Sequence, residues 1–283
     1  GVSVVVLLLT VNPKATWESL RSAPLWRLGL PFALWAAWLA VDGTRTQFIA
    51  RTLGYRLGWL TAVDMIAAGQ FLALVTPFQV SGLPYQLYIF QRDAKLPPGP
   101  GTALVVLRGV LIYIFVFGAA PFALKAFGVG SSGFFKAVLI YFSVVAGLFF
   151  LVFAISLINP KFFEKLGKWG KWFSEQACLT RIALGEFFGA KRPGPLLATL
   201  ALSAASIFLY WSTVPATLWA LGLGFDPLKA FLMQALLQGA LLYSPSPGAA
   251  GIAEGAGAAV FSGVCPRELL GVFLVLWRTF TVY

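Results

Sequence analysis

The sequence predicts an all-α polytopic membrane protein built from two inverted-topology repeats. Composition is the first reason. Of 283 residues, 59% are hydrophobic and 11% charged, against roughly half and a quarter in a soluble domain. Patterning is the second. The apolar residues form several long runs without alternation, which argues against both a single anchor and an outer-membrane β-barrel. Third, two of the runs are broken by proline and glycine at matching places, as in transporters assembled from repeats.

The later broken segment, Tyr243 to Arg278, reads YSPSPGAAGIAEGAG, then an apolar run, then CPRELLGVFLVLWR. The earlier one, Leu74 to Arg108, contains TPFQVSGLPYQ. Gln70 precedes Pro77 by the interval that separates Gln238 from Pro245, and Gly82 precedes Arg108 much as Gly251 precedes Arg278. Charges and helix breakers at bilayer depth are unfavourable, so Arg108, Glu254 and Arg278 mark a candidate site. Irregular backbone survives there only when it is buried in protein or lines a wet cavity.

One transmembrane domain over 1–283 is expected, with 1–158 as its first half. Val2 to Leu9 is too short to span alone and reads as the end of a first helix. It has no basic flank or cleavage site of a signal peptide, and both chain ends read as cut. Pro24 to Val41 is the next span. Asp42 to Arg56 reads as too polar to cross, a basic elbow lying on the surface. Trp59 to Val75, the break at Pro77 and Tyr85 to Phe90 form two short halves. About 20 helical residues are needed to cross, so about 59–90 suits a re-entrant hairpin; two tilted spans are the alternative.

Thr102 to Gly118 is a span carrying Arg108. Phe134 to Ile158 is a long clean span, ended by Asn159-Pro160. In 159–194, Phe162, Phe163, Leu166, Trp169 and Phe173 recur at helical spacing beside a stripe of lysines. That pattern suits an interfacial amphipathic connector helix, or a solvated link between halves. The second half, 195–283, begins with a span over Pro195 to Gly222. A second re-entrant hairpin follows at about 229–264, and a last helix carries Arg278.

The net charge of +11 comes from basic residues between apolar runs, where they report topology and contact anionic headgroups. No polar domain is present to bind nucleic acid. Most of the 21 basic residues fall in the elbow, the loop near 91–100 and the connector. The positive-inside tendency therefore puts the connector in the cytoplasm of a cell (inner) membrane protein. The first hairpin then opens from the cytoplasm and the second from outside.

The absence of histidine removes Ser-His-Asp catalysis and histidine metal sites. Cys178 and Cys265 form no metal or redox motif. No enzymatic activity, catalytic residue, metal or cofactor is expected, and no nucleotide-binding motif is present.

Pro247-Gly248-Ala249-Ala250-Gly251-Ile252-Ala253-Glu254 resembles the PGGxGxxE signature of the lysylphosphatidylglycerol synthase transmembrane family. The resemblance continues through GVCPRELLGVFLVLWR, and Pro77 to Arg108 is similar to the family's proline-glycine loop. Ala249 stands for the usual second glycine. Leu83 and Gln86 stand where the family has an acidic residue and an arginine. The resemblance implies a flippase-like domain with a membrane phospholipid, anionic or aminoacylated, as cargo; the alternatives are a transporter of another anionic amphiphile (a polyprenyl phosphate or glycolipid) or of a small solute, and a non-transporting membrane partner subunit. It also implies a separate lipid-modifying synthase as partner, since the chain carries no synthase domain. A homo-oligomer is compatible with it.

A headgroup crossing the bilayer needs a polar path. Half-helix N-termini can face a phosphate, and Gly248 and Gly251, next to Pro247, allow close backbone approach. Arg108 and Arg278 offer guanidinium forks. Glu254 meets a cationic amine, or else simply neutralises Arg278. Arg108 in turn has the alternative of snorkelling to a nearby interface. Gln70, Gln79, Ser81, Gly82, Gln234 and Gln238 line the remaining route, or the glutamines act as interhelical glue.

Overall fold

The computed structural model describes residues 25–76, 82–127, 167–189, 193–241 and 251–281, with shorter pieces between 140 and 164 and at 246 and 249. The first-helix reading at Val2 to Leu9 lies outside them. So do the breaks at Pro77 and Pro245, and Gln79, Ser81, Pro247 and Gly248. All described regular structure is helical.

After a 3₁₀ turn at Leu25–Leu28, α1 spans Gly29–Thr52, α2 Trp59–Val75, α3 Gly82–Ala94, α4 Pro98–Phe127 and α5 Gly167–Gly189. Then follow α6 Gly194–Trp211, α7 Thr213–Ala220, α8 Pro227–Leu241, α9 Ile252–Phe261 and α10 Arg267–Thr281. Two stretches, Pro98–Val116 and Gly194–Ala220, are long and apolar enough to cross a membrane. The second contains the α6–α7 junction at Ser212. Pro215 cannot donate to the carbonyl four residues back, which explains a break one turn before it. With 13 and 10 residues, α3 and α9 are too short to cross alone, at about 1.5 Å per residue.

The expected surface elbow at Asp42 to Arg56 is corrected. α1 runs unbroken through Thr52, and Asp42, Arg45, Thr46, Ile49 and Ala50 are buried on one stripe. These positions recur every three to four residues and so share one helix face. The stripe packs against α6, whose buried Ser203 and Ser206 supply polar partners. Polar composition suggested water, whereas the polar residues meet one another inside the protein. Arg51, off the stripe, is exposed.

The first-half core gathers Ile49, Met65, Phe90, Leu104 and Leu107. The second gathers Val214, Phe261, Phe273 and Trp277, with Phe261 packed edge-on against Phe273 at 4.7 Å and Trp277 at 5.5 Å. Val116, Ile207, Trp211 and Ala235 form a third, smaller cluster where α4, α6 and α8 meet.

The exterior is apolar. Phe71, Phe122, Leu197 and Phe208 are well over half exposed. Ile140, Val144, Leu148, Leu151, Ile155 and Ile158, exposed at helical spacing, continue this surface. Exposed apolar area on this scale suits lipid rather than water.

α5 turns small and polar residues toward the protein, among them Gly170, Ser174 and Thr180, and exposes Trp169, Phe173 and Lys171. It is fastened to the start of α4. Gly99 N–H donates to Gln176 Oε1 at 2.8 Å, and Thr180 Oγ1 donates to Gly99 O at 2.9 Å. A β-carbon at Gly99 would fall 2.5 Å from Leu179 Cβ and 2.9 Å from Gln176 O. Gly99→Val is therefore expected to loosen α5 from α4, at about 1–3 kcal/mol from overpacking. Limited proteolysis should cut the 159–194 region faster in the variant. Unchanged cutting would show that this contact does not hold the helix.

Candidate functional site

Between the two main cores lies a cavity of about 400 Å³, within the usual range for small-ligand sites. Asp42 of α1, Gln70 of α2, Gly82 and Gln86 of α3, and Arg108 of α4 face it from the first half. Ser206 and Tyr210 of α6, Gln234 and Gln238 of α8, and Trp277 and Arg278 of α10 face it from the second.

The first-half wall is organised by Asp42. Its carboxylate forms ion pairs with Arg45, one turn on, and with Arg108 from α4. Ser206 Oγ donates to Asp42 Oδ1 at 3.3 Å. Arg45 Nη1 donates to Ser203 Oγ at 3.2 Å, and Arg108 Nη1 to Gln86 Oε1 at 3.1 Å. Arg108 Nε is buried without a hydrogen-bond partner among the described residues.

Arg108 is turned inward, toward Asp42 and Gln86, about 15 Å along α4 from its start at Pro98. Its side chain is only 13% exposed.

In the second-half wall, Arg278 Nε lies 3.4 Å from Glu254 Oε1, both side chains being buried. Glu254 also turns back to accept from Gly251 N–H at 2.6 Å, capping its own helix α9. Gly251 has φ +84°, a left-handed conformation open to glycine at little cost. Its role is therefore to turn the chain so that Glu254 can fold over the helix start. Ala249, also buried at the cavity wall, has φ +57°. Two indoles fix the α8 glutamines: Trp277 Nε1 donates to Gln234 Oε1 at 2.8 Å, and Trp211 Nε1 donates to Gln238 Oε1.

Of the residues singled out in the sequence, Arg108, Arg278, Gln70, Gly82, Gln234 and Gln238 border the cavity. Glu254 and Gly251 stand behind Arg278 and shape it. Gln79, Ser81, Pro247 and Gly248 lie outside the described residues.

Asp42, Gln86 and the two indole donors are additions from the structure. A signal for Asp42 was present: Asp42, Arg45, Thr46 and Ile49 stand at helical spacing, whereas a surface elbow requires no such period. The indoles carried no signal, since tryptophan is ordinarily a belt or packing residue in membranes.

Among the described residues the inward-facing ions form two groups: Asp42 with Arg45 and Arg108, cationic by one charge, and the pair Glu254–Arg278, of net charge zero. A buried excess charge is strongly unfavourable unless something compensates it. An anion in the cavity would do so.

A family profile described as "Lysylphosphatidylglycerol synthase TM region" matches residues 1–283. A "UPF0104 membrane protein" of Archaeoglobus fulgidus is 25% identical over 288 residues, covering 95% of this chain and 86% of the relative. No solved structure gives a significant match.

Proposed function

The chain belongs to the lysylphosphatidylglycerol synthase TM region family, and from that premise we propose that it moves a phospholipid between leaflets as a flippase or scramblase. One observation carries this reading: a cavity whose largely apolar lining is set with arginines and glutamines, cationic by one charge among the described residues, inside a protein with extensive exposed apolar surface. A headgroup enters the cavity and is held by Arg108 and Arg278, while its acyl chains stay in lipid outside. Charge-assisted hydrogen bonds from guanidinium to phosphate are among the stronger ones available to the protein. No covalent chemistry is required, and none is proposed.

In this reading α2–α3 and α8–α9 are two re-entrant hairpins of inverted repeats. Their shortness, and the placement of α2–α3 and of α8 on opposite walls of one cavity, favour it. Rocking of one half against the other would then expose the cavity to each leaflet in turn. Asp42 and Glu254 hold the arginines ready, so that little ordering remains to be done on binding. The charge bias puts the α5 connector in the cytoplasm, with Trp169 and Phe173 at the interface.

The test is leaflet exchange in proteoliposomes of the full chain with reporter-labelled lipids. Wild type is expected to speed exchange of at least one anionic lipid above protein-free vesicles. If folded, correctly inserted protein speeds none, with or without an ion gradient, the translocation reading is wrong. A carrier of another anionic amphiphile, such as a polyprenyl phosphate, uses the same site chemistry and is separated by including that lipid in the panel.

A further inference from the structure

Taking translocation as the premise, we infer that the cavity selects an anionic phosphodiester headgroup without an ammonium group, and rejects the aminoacylated form. The inference comes from which hydrogen-bonding atoms are already engaged.

A glutamine amide offers an acceptor oxygen and a two-donor nitrogen. At three cavity glutamines the oxygen is occupied. Gln86 Oε1 accepts from Arg108, Gln234 Oε1 from Trp277, and Gln238 Oε1 from Trp211. No partner among the described residues holds their Nε2 groups, so each presents N–H donors to the cavity. Arg108 Nε adds a buried donor that still lacks a partner.

The two carboxylates are engaged by contrast. Asp42 is held by Arg45, Arg108 and Ser206. Glu254 is held by Arg278 and the Gly251 N–H. An acceptor-rich phosphodiester finds donors from both walls. An ammonium group finds neither an unengaged carboxylate nor a favourable potential, and it meets a network that already carries excess positive charge. Like charges brought together in a desolvated site are a strong means of rejecting a partner.

Binding is the direct test. Phosphatidylglycerol and lysyl-phosphatidylglycerol with matched acyl chains, and soluble glycerophosphoglycerol, are titrated onto the full chain in detergent. Adducts are counted by native mass spectrometry. Phosphatidylglycerol is expected to bind at least about tenfold tighter than its lysyl form. Gln238→Glu keeps an acceptor for Trp211 and replaces the donor with a carboxylate oxygen, and it should erase that preference. Gln86→Glu is the second variant should the first fail to fold.

Equal or tighter binding of the lysyl lipid to wild type overturns the inference, even where both lipids cross between leaflets. Discrimination in binding with no leaflet exchange instead sinks translocation and leaves the headgroup assignment standing. Glycerophosphoglycerol binding as tightly as the lipid keeps the phosphodiester chemistry but assigns it to a soluble ligand.

Discussion

Asp42→Ala is expected to remove most of the folded protein. Asp42 is buried between two guanidiniums, Arg45 and Arg108. Without the carboxylate, two like charges face each other away from water. Removing one partner of a buried ion pair destabilises by about 3–5 kcal/mol, and this loss is a large part of the roughly 5–15 kcal/mol that holds a typical domain together. The check is the monodisperse fraction in detergent and its thermal unfolding midpoint. Removing the stranded charges as well, in Asp42→Ala with Arg45→Met and Arg108→Met, should recover folded protein. If Asp42→Ala alone melts as wild type does, the buried ions are not what joins α1 to α4 and α6.

Arg108→Met is expected to have the opposite profile: folded protein with little ligand affinity. Asp42 and Arg45 remain as a pair of net charge zero, and only the neutral acceptor Gln86 Oε1 loses its donor. What disappears is the excess positive charge and the Nε donor that has no partner among the described residues. Loss of a buried charged partner commonly weakens binding by about 2 kcal/mol or more, roughly thirtyfold. Adduct formation with phosphatidylglycerol should fall by that factor, and leaflet exchange per folded molecule with it. Arg108→Lys keeps the charge but not the planar fork, so intermediate affinity is expected. Wild-type affinity in Arg108→Met would make Arg108 a purely structural ion.

The two variants separate roles that a sequence scan cannot. Both residues are charged, both lie in apolar surroundings, and both border one cavity. Their difference lies in the charge each leaves behind. Removing Asp42 uncovers two guanidiniums, whereas removing Arg108 leaves a matched pair.

Much was legible in the chain alone. Trp59 to Val75 was read as one apolar segment, and it is one helix. Arg108, Arg278 and the glutamines stood out because polar side chains are rare in apolar runs. Glu254 lies three residues after Gly251, the reach of a helix cap, and its pairing with Arg278 was one of two readings. Less legible were the starts of α3 and α4. Gly82–Ala94 and Pro98–Phe127 both begin earlier than hydropathy suggested, because glycine and proline at a helix's first turn lower the apolar signal without preventing the helix.

The sequence by itself determined that this chain is a helical membrane protein, and it marked Arg108, Glu254 and Arg278 as charges set within apolar runs. Hydropathy and helix breaking are local properties, written over a few neighbouring residues. Only the tertiary structure decided which charges meet. Asp42 and Arg108 are 66 positions apart, and Asp42 and Ser206 are 164 apart. Such pairings depend on the rotation of each helix and on its height against its neighbours. Side-chain packing sets both once the helices have formed, and a surface elbow on paper thereby became one wall of the cavity.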